Sequence, residues 1–195
     1  MSHIVRIKIS AILSCMALFL GACGEVSEKK TTSMALGNNY YMIVTQIQVP
    51  PRPASSSLSF TEDWDDLGSG APDIFYEMTY KGITHYTSSV ADDTIHASYS
   101  PIKAGIGKAI WTKNASQYLE GAVVNFYEED AYVDYSIYDK DSATRNDFIG
   151  KMKIPFKMLQ EGLNTFEEDG VTLSLVLINT NSDLNTQLKS LGLIQ

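Results

Sequence analysis

The chain has 195 residues, 15 basic against 23 acidic side chains and a formal net charge of −8. That balance repels phosphate backbones, and no basic stripe with interleaved aromatics offsets it, so nucleic acid is excluded as a partner. Neither a G-x-S-x-G turn nor a Gly-rich phosphate loop occurs, and nothing in the sequence makes a case for an enzyme.

The N-terminus resembles a bacterial lipoprotein signal. Arg6 and Lys8 supply its positive start, and residues 9–20 form an apolar run of about a dozen, short of the roughly 20 that a bilayer span needs. It closes on Leu20-Gly21-Ala22-Cys23. The resemblance implies cleavage before Cys23 and lipidation of that cysteine; the plainer alternative is a secretory signal ending near Ala22. Cys15 leaves with the signal, so the mature fold has no internal disulfide. Gly24 stands where an Asp would signal inner-membrane retention, which by the same resemblance implies the outer membrane of the cell envelope. Residues 23–39, rich in Ser, Thr, Lys, Glu and Asn, read as a flexible tether after a signal at 1–22.

Residues 40–178 read as strands of a single domain, long enough for a full core. A strand that is apolar on both faces in part covers 41–49. Trp64-Asp65-Asp66 and a Gly-rich turn at 68–70 follow, and then Ile74, Tyr76, Met78 and Tyr80 alternate with Phe75, Glu77 and Thr79. The stretch 92–114 is the least patterned, with a strand expected near Ile110-Trp111. His85 and His96 have no partner at metal spacing and read as ordinary histidines. A further strand covers 122–127, and Glu128, Glu129 and Asp130 form a solvated acidic turn. Period two returns at Val133, Tyr135 and Ile137, at Met152 and Ile154, and at Val171, Leu173, Leu175 and Leu177. A turn near 156–160 and a strand at 163–166 lie between the last two. In the tail, 179–195, Leu184, Leu188 and Leu191 fall at helical spacing behind Ser182 or Asp183 as a cap. The pattern predicts an antiparallel β-sandwich.

Residues 138–150 read Y-D-K-D-S-A-T-R-N-D-F-I-G, which puts Asp139, Asp141 and Asp147 on one short connection between two strands. Carboxylates so close together repel unless a cation sits among them, and oxygen ligands suit calcium. The bland alternative is a polar hairpin with solvated acids. The loop is not an EF-hand: counted from Asp139, the places for Gly and Glu hold Thr144 and Gly150.

This stretch resembles the third calcium-binding loop of the C2 domain. Residues 68–78, G-S-G-A-P-D-I-F-Y-E-M, are similar to that family's first loop, with Asp73 at the Asp position and Ile74 in place of the usual Pro. Asp65 or Asp66 would be the earlier acid of that loop, with Asp66 nearer the family spacing. The resemblance implies an eight-stranded antiparallel sandwich of C2 type, the extra strand at the C-terminus. It further implies calcium held by Asp73, Asp139, Asp141, Asp147, one of Asp65 and Asp66, and the Lys140 carbonyl. The function it implies is calcium-dependent binding of phospholipid or a protein by a membrane-anchored module; the alternative is a calcium-independent structural or adhesive sandwich.

Overall fold

The computed structural model describes residues 34–51, 70–104, 106, 115–141 and 145–195. The expectations for the signal, Cys23, Asp65, Asp66 and Trp111 lie outside these residues. The described chain forms nine strands: β1 (Asn39–Gln48), β2 (Ile74–Tyr80), β3 (Ile83–Thr87), β4 (His96–Ser98), β5 (Ala122–Asn125), β6 (Tyr132–Asp139), β7 (Asp147–Pro155), β8 (Gly162–Glu168) and β9 (Val171–Asn179). One α-helix, α1 (Leu184–Ser190), follows them. All strand pairs are antiparallel. One sheet runs β4-β1-β9-β8 with β5 also on β1, and the other runs β3-β2-β6-β7.

Nine strands occupy eight positions. β5 pairs with Asn39 to Met42 and β4 with Gln46 to Gln48, so the two short pieces follow one another along the same edge of β1. Two hairpins turn on two residues each, Lys81-Gly82 and Asp169-Gly170, all four with positive φ. Such turns match the twist of the strands they join, and glycine takes the second position without steric cost.

The period-two residues of β1, β2, β6, β7 and β9 meet between the sheets, in a core that includes Tyr40, Ile47, Tyr76, Met78, Tyr135, Met152, Leu173 and Leu175. A second cluster lies on the outer side of the β1–β9 sheet. Ile43, Val176 and Ile178 are covered there by Ile102, Leu119, Leu184 and Leu188. This cover explains why β1 reads as apolar on both faces in part, and why Val176 and Ile178 break the alternation of β9: each strand has a core on either side.

The Asp183 carboxylate caps α1, accepting the Thr186 N–H at 2.7 Å. That bond holds the carboxyl below its ordinary pKa. A depressed folded-state pKa means the cap is complete above the usual carboxylate range and is lost as pH falls through it. Asp183→Ala should therefore speed amide exchange at Thr186 several-fold at neutral pH and change little in acid. Equal exchange in parent and variant at neutral pH would remove the cap from the account.

The two ends of the sandwich are distinct. The Val49 N–H bonds the Ile95 carbonyl and the Thr94 N–H bonds the Pro72 carbonyl, which brings the end of β1 to the start of β2. The start of β1 lies at the opposite end. There the Gly37 N–H bonds the Phe126 carbonyl, and the Phe126 ring meets Tyr80 and Phe156.

Candidate metal-binding site at the acidic end

Along β6 the inward positions are Val133, Tyr135, Ile137 and then Asp139. Period two thus turns a carboxylate toward the core at the last residue of the strand, where Asp139 is 1% exposed. Its Oδ1 accepts the Asp73 N–H at 2.8 Å, and the Lys140 N–H donates to the Asp73 carbonyl at 2.9 Å. The ladder of β2 on β6 is thereby extended by one residue, and Asp73 is fixed by both of its backbone groups.

The Asp73 side chain reaches a third segment. Its Oδ1 accepts the Asp93 N–H at 2.7 Å, and Asp93 Oδ1 accepts the Ala71 N–H at 2.8 Å. Asp93 has φ of +47°, a conformation that Asp tolerates better than most residues. Residues 71–73, 93–94 and 139–140 are knotted together by these bonds. Asp93 is not among the acids expected from the sequence, where it falls in the least patterned stretch, 92–114; it belongs to this end, and Asp-Asp before Thr94 is the local sign of it.

Both strands around the acidic loop are longer than expected. β6 runs through Asp139 and β7 starts at Asp147, so these two acids end the strands and do not lie on the connection between them. Asp139 and Asp147 are register partners across the ladder, Asp147 exposed and Asp139 buried. Like charges directly opposite on paired strands destabilise them. Asp141 is half-buried and Lys140 exposed, and residues 142–144 lie outside the description.

The structure therefore joins Asp73 to Asp139 directly and sets Asp147 opposite Asp139. Among the described residues, no three His, Cys, Asp or Glu side chains converge closely enough to hold an ion together. One oxygen of Asp73 and one of Asp139 are engaged by backbone N–H groups, which orient both carboxylates. The donors gathered here are hard oxygens from two connections, the chemistry that suits calcium and not a thiolate or imidazole metal.

No family model matches the sequence, and no curated protein matches it. Solved structures do resemble it. Human GIVD cytosolic phospholipase A2, in complex with a fluorophosphonate inhibitor and terbium chloride, aligns at 15% identity and a TM-score of 0.48, over 77% of this chain and 18% of that one. A calcium-bound fragment of Extended-Synaptotagmin 2 that holds two C2 domains aligns at 12% and 0.45, over 74% of this chain and 47% of that one. A single C2 domain of plant Extended Synaptotagmin 1 aligns at 12% and 0.47, over 76% of this chain and 100% of that domain. The chain thus spans under a fifth of the phospholipase and about half of the two-domain synaptotagmin fragment. It is an all-β sandwich of two antiparallel sheets, and the solved structures it resembles include C2 domains.

Proposed function

We propose that this protein is a C2-like module of the bacterial cell envelope, anchored in the outer membrane by lipid on Cys23. Its acidic end binds calcium and, through it, phospholipid or another partner. The ligands are Asp73, Asp139, Asp141, Asp147, the Lys140 carbonyl and one of Asp65 and Asp66. The observation that carries this reading is the pair Asp139 and Asp147. A buried and an exposed carboxylate oppose one another at the end of a ladder, with Asp73 bonded to the first. A divalent cation turns that repulsion into coordination, and a site open to solvent keeps room for a lipid phosphate. No catalytic role is proposed.

A second reading has its own support. The hydrogen bonds among Asp73, Asp93, Asp139 and Ala71 knit the end together through protein atoms alone. On this reading the carboxylates are structural, and the sandwich is a calcium-independent spacer or adhesin.

Co-sedimentation with phosphatidylglycerol vesicles separates the two. The Cys23→Ser chain should pellet with vesicles in millimolar calcium and stay in solution with chelator; identical distributions in both would favour the structural reading. Cys23→Ser should also move the protein from the detergent to the aqueous phase on phase separation. Unchanged partitioning would remove the lipid anchor.

A further inference from the structure

We propose that the end of the sandwich where β1 starts is a docking face for the bilayer that carries the chain's own lipid, and that docking holds the acidic end outward. This rests on the reading of Cys23 as the anchor and goes beyond it to the orientation of the domain.

The first observation is where the exposed apolar side chains lie. Seven large hydrophobic residues are exposed among the described residues, and five of them belong to this end. Leu36 precedes β1. Ile83, 64% exposed, follows the Lys81-Gly82 turn. Tyr127, 67% exposed, lies in the 126–131 loop, and Tyr132 follows it. Val123 is the register partner of Tyr41, whereas Leu163, level with Val176 and Ile43, lies midway along its sheet. Phe148 alone lies at the acidic end. A shallow cavity of about 450 Å³ also opens here, lined by Met34, Leu36, Phe156, Glu129 and Lys157. Apolar side chains gathered at one end mark a surface that is covered in use, and tyrosines suit the boundary between headgroups and acyl chains.

The second observation is the reach of the tether. Residues 24–33 separate Cys23 from Met34, the first described residue. A chain of that length spans at most about 35 Å even when fully extended. β1 then carries the fold about 30 Å further to the acidic end, at roughly 3.3 Å per residue over its ten residues. A lipid on Cys23 therefore holds the apolar end within about 35 Å of the bilayer.

Charge points the same way. At the apolar end the acids Glu128, Glu129 and Asp130 are partly offset: Lys81 pairs with Glu128 at 2.8 Å, Lys157 and Glu129 both line the cavity, and Lys153 lies 3.4 Å from the Tyr132 ring centre. The other end gathers Asp73, Asp93, Asp139, Asp141 and Asp147 against Lys140 and Arg145, and without a bound cation an anionic leaflet repels it. An upright domain then meets a surface facing its own membrane, not the membrane itself.

The test couples the chain from Cys23 onward, through that thiol, to maleimide lipid in phosphatidylcholine vesicles and in vesicles with added phosphatidylglycerol, in chelator. The control is the same chain capped with N-ethylmaleimide. Amide exchange read by mass spectrometry should slow several-fold at 81–84 and 126–131 on attachment, with 139–147 unchanged and little difference between the two lipids. Ile83→Glu with Tyr127→Glu should abolish the slowing while the chain stays attached. No slowing at this end, or slowing at 139–147 instead, would overturn the proposal. So would equal slowing in the capped chain at matched concentration, which would assign the face to a second copy. The mass of Cys23 in protein from cells tests the anchor separately, so a missing lipid and a missing docking face give different results.

Discussion

Calcium at a hundredfold excess over its dissociation constant should raise the melting temperature by roughly 5–10 °C. An ion that binds only the folded state stabilises it by about 2.7 kcal/mol at that excess, and in a chain of this size each kcal/mol moves the midpoint by roughly 2–4 °C. Magnesium should do less, because it demands near-octahedral geometry and sheds water reluctantly. Asp139→Asn together with Asp141→Asn should abolish the rise. Asn at 139 still offers an oxygen to the Asp73 N–H, so the calcium-free fold should be kept or slightly firmer as repulsion with Asp147 is relieved. Asp139→Ala is different: it leaves the Asp73 N–H without its acceptor, at about 1–3 kcal/mol. A calcium-free Asp139→Asn variant as unstable as Asp139→Ala would mean that the negative charge itself holds the end together.

Leu188→Ala should destabilise the protein by about 2–5 kcal/mol, the usual range for emptying a buried leucine site. Leu188 is fully buried, although α1 is a seven-residue helix near the end of the chain. With Leu184 it covers Ile43, Val176 and Ile178, the outer side of the two central strands. A short helix cannot hold itself; it is held by this contact and by the Asp183 cap, and in return it closes the second core. Chemical denaturation of Leu188→Ala measures the effect. A loss well under 1 kcal/mol would make α1 a loosely attached tail.

The sheets are legible in the sequence wherever a strand runs seven residues or more. β2, β6 and β9 carry enough alternation to set both their type and their inner face, and the spacing of Leu184 and Leu188 behind Asp183 gives the helix and its cap. β4 and β5 are three and four residues long, too short to show a period, so their sharing of one edge of β1 emerges only from the pairing. The same limit applies to the site. Asp73 and Asp139 stand out because each follows a recognisable pattern. Asp93 does not, because its place is made by a hydrogen bond to a carboxylate twenty residues earlier. The apolar end is the least legible feature: Leu36, Ile83, Val123, Tyr127 and Tyr132 are scattered along the chain, and only the topology gathers them.

Calorimetric titration of the Cys23→Ser chain with calcium tests the central claim most directly. The parent sequence should release or absorb heat that saturates at a defined stoichiometry, and the Asp139→Asn, Asp141→Asn variant should give only the heat of dilution. A flat titration of a folded parent, or an isotherm that the paired substitution leaves unchanged, would contradict a calcium site built on these carboxylates.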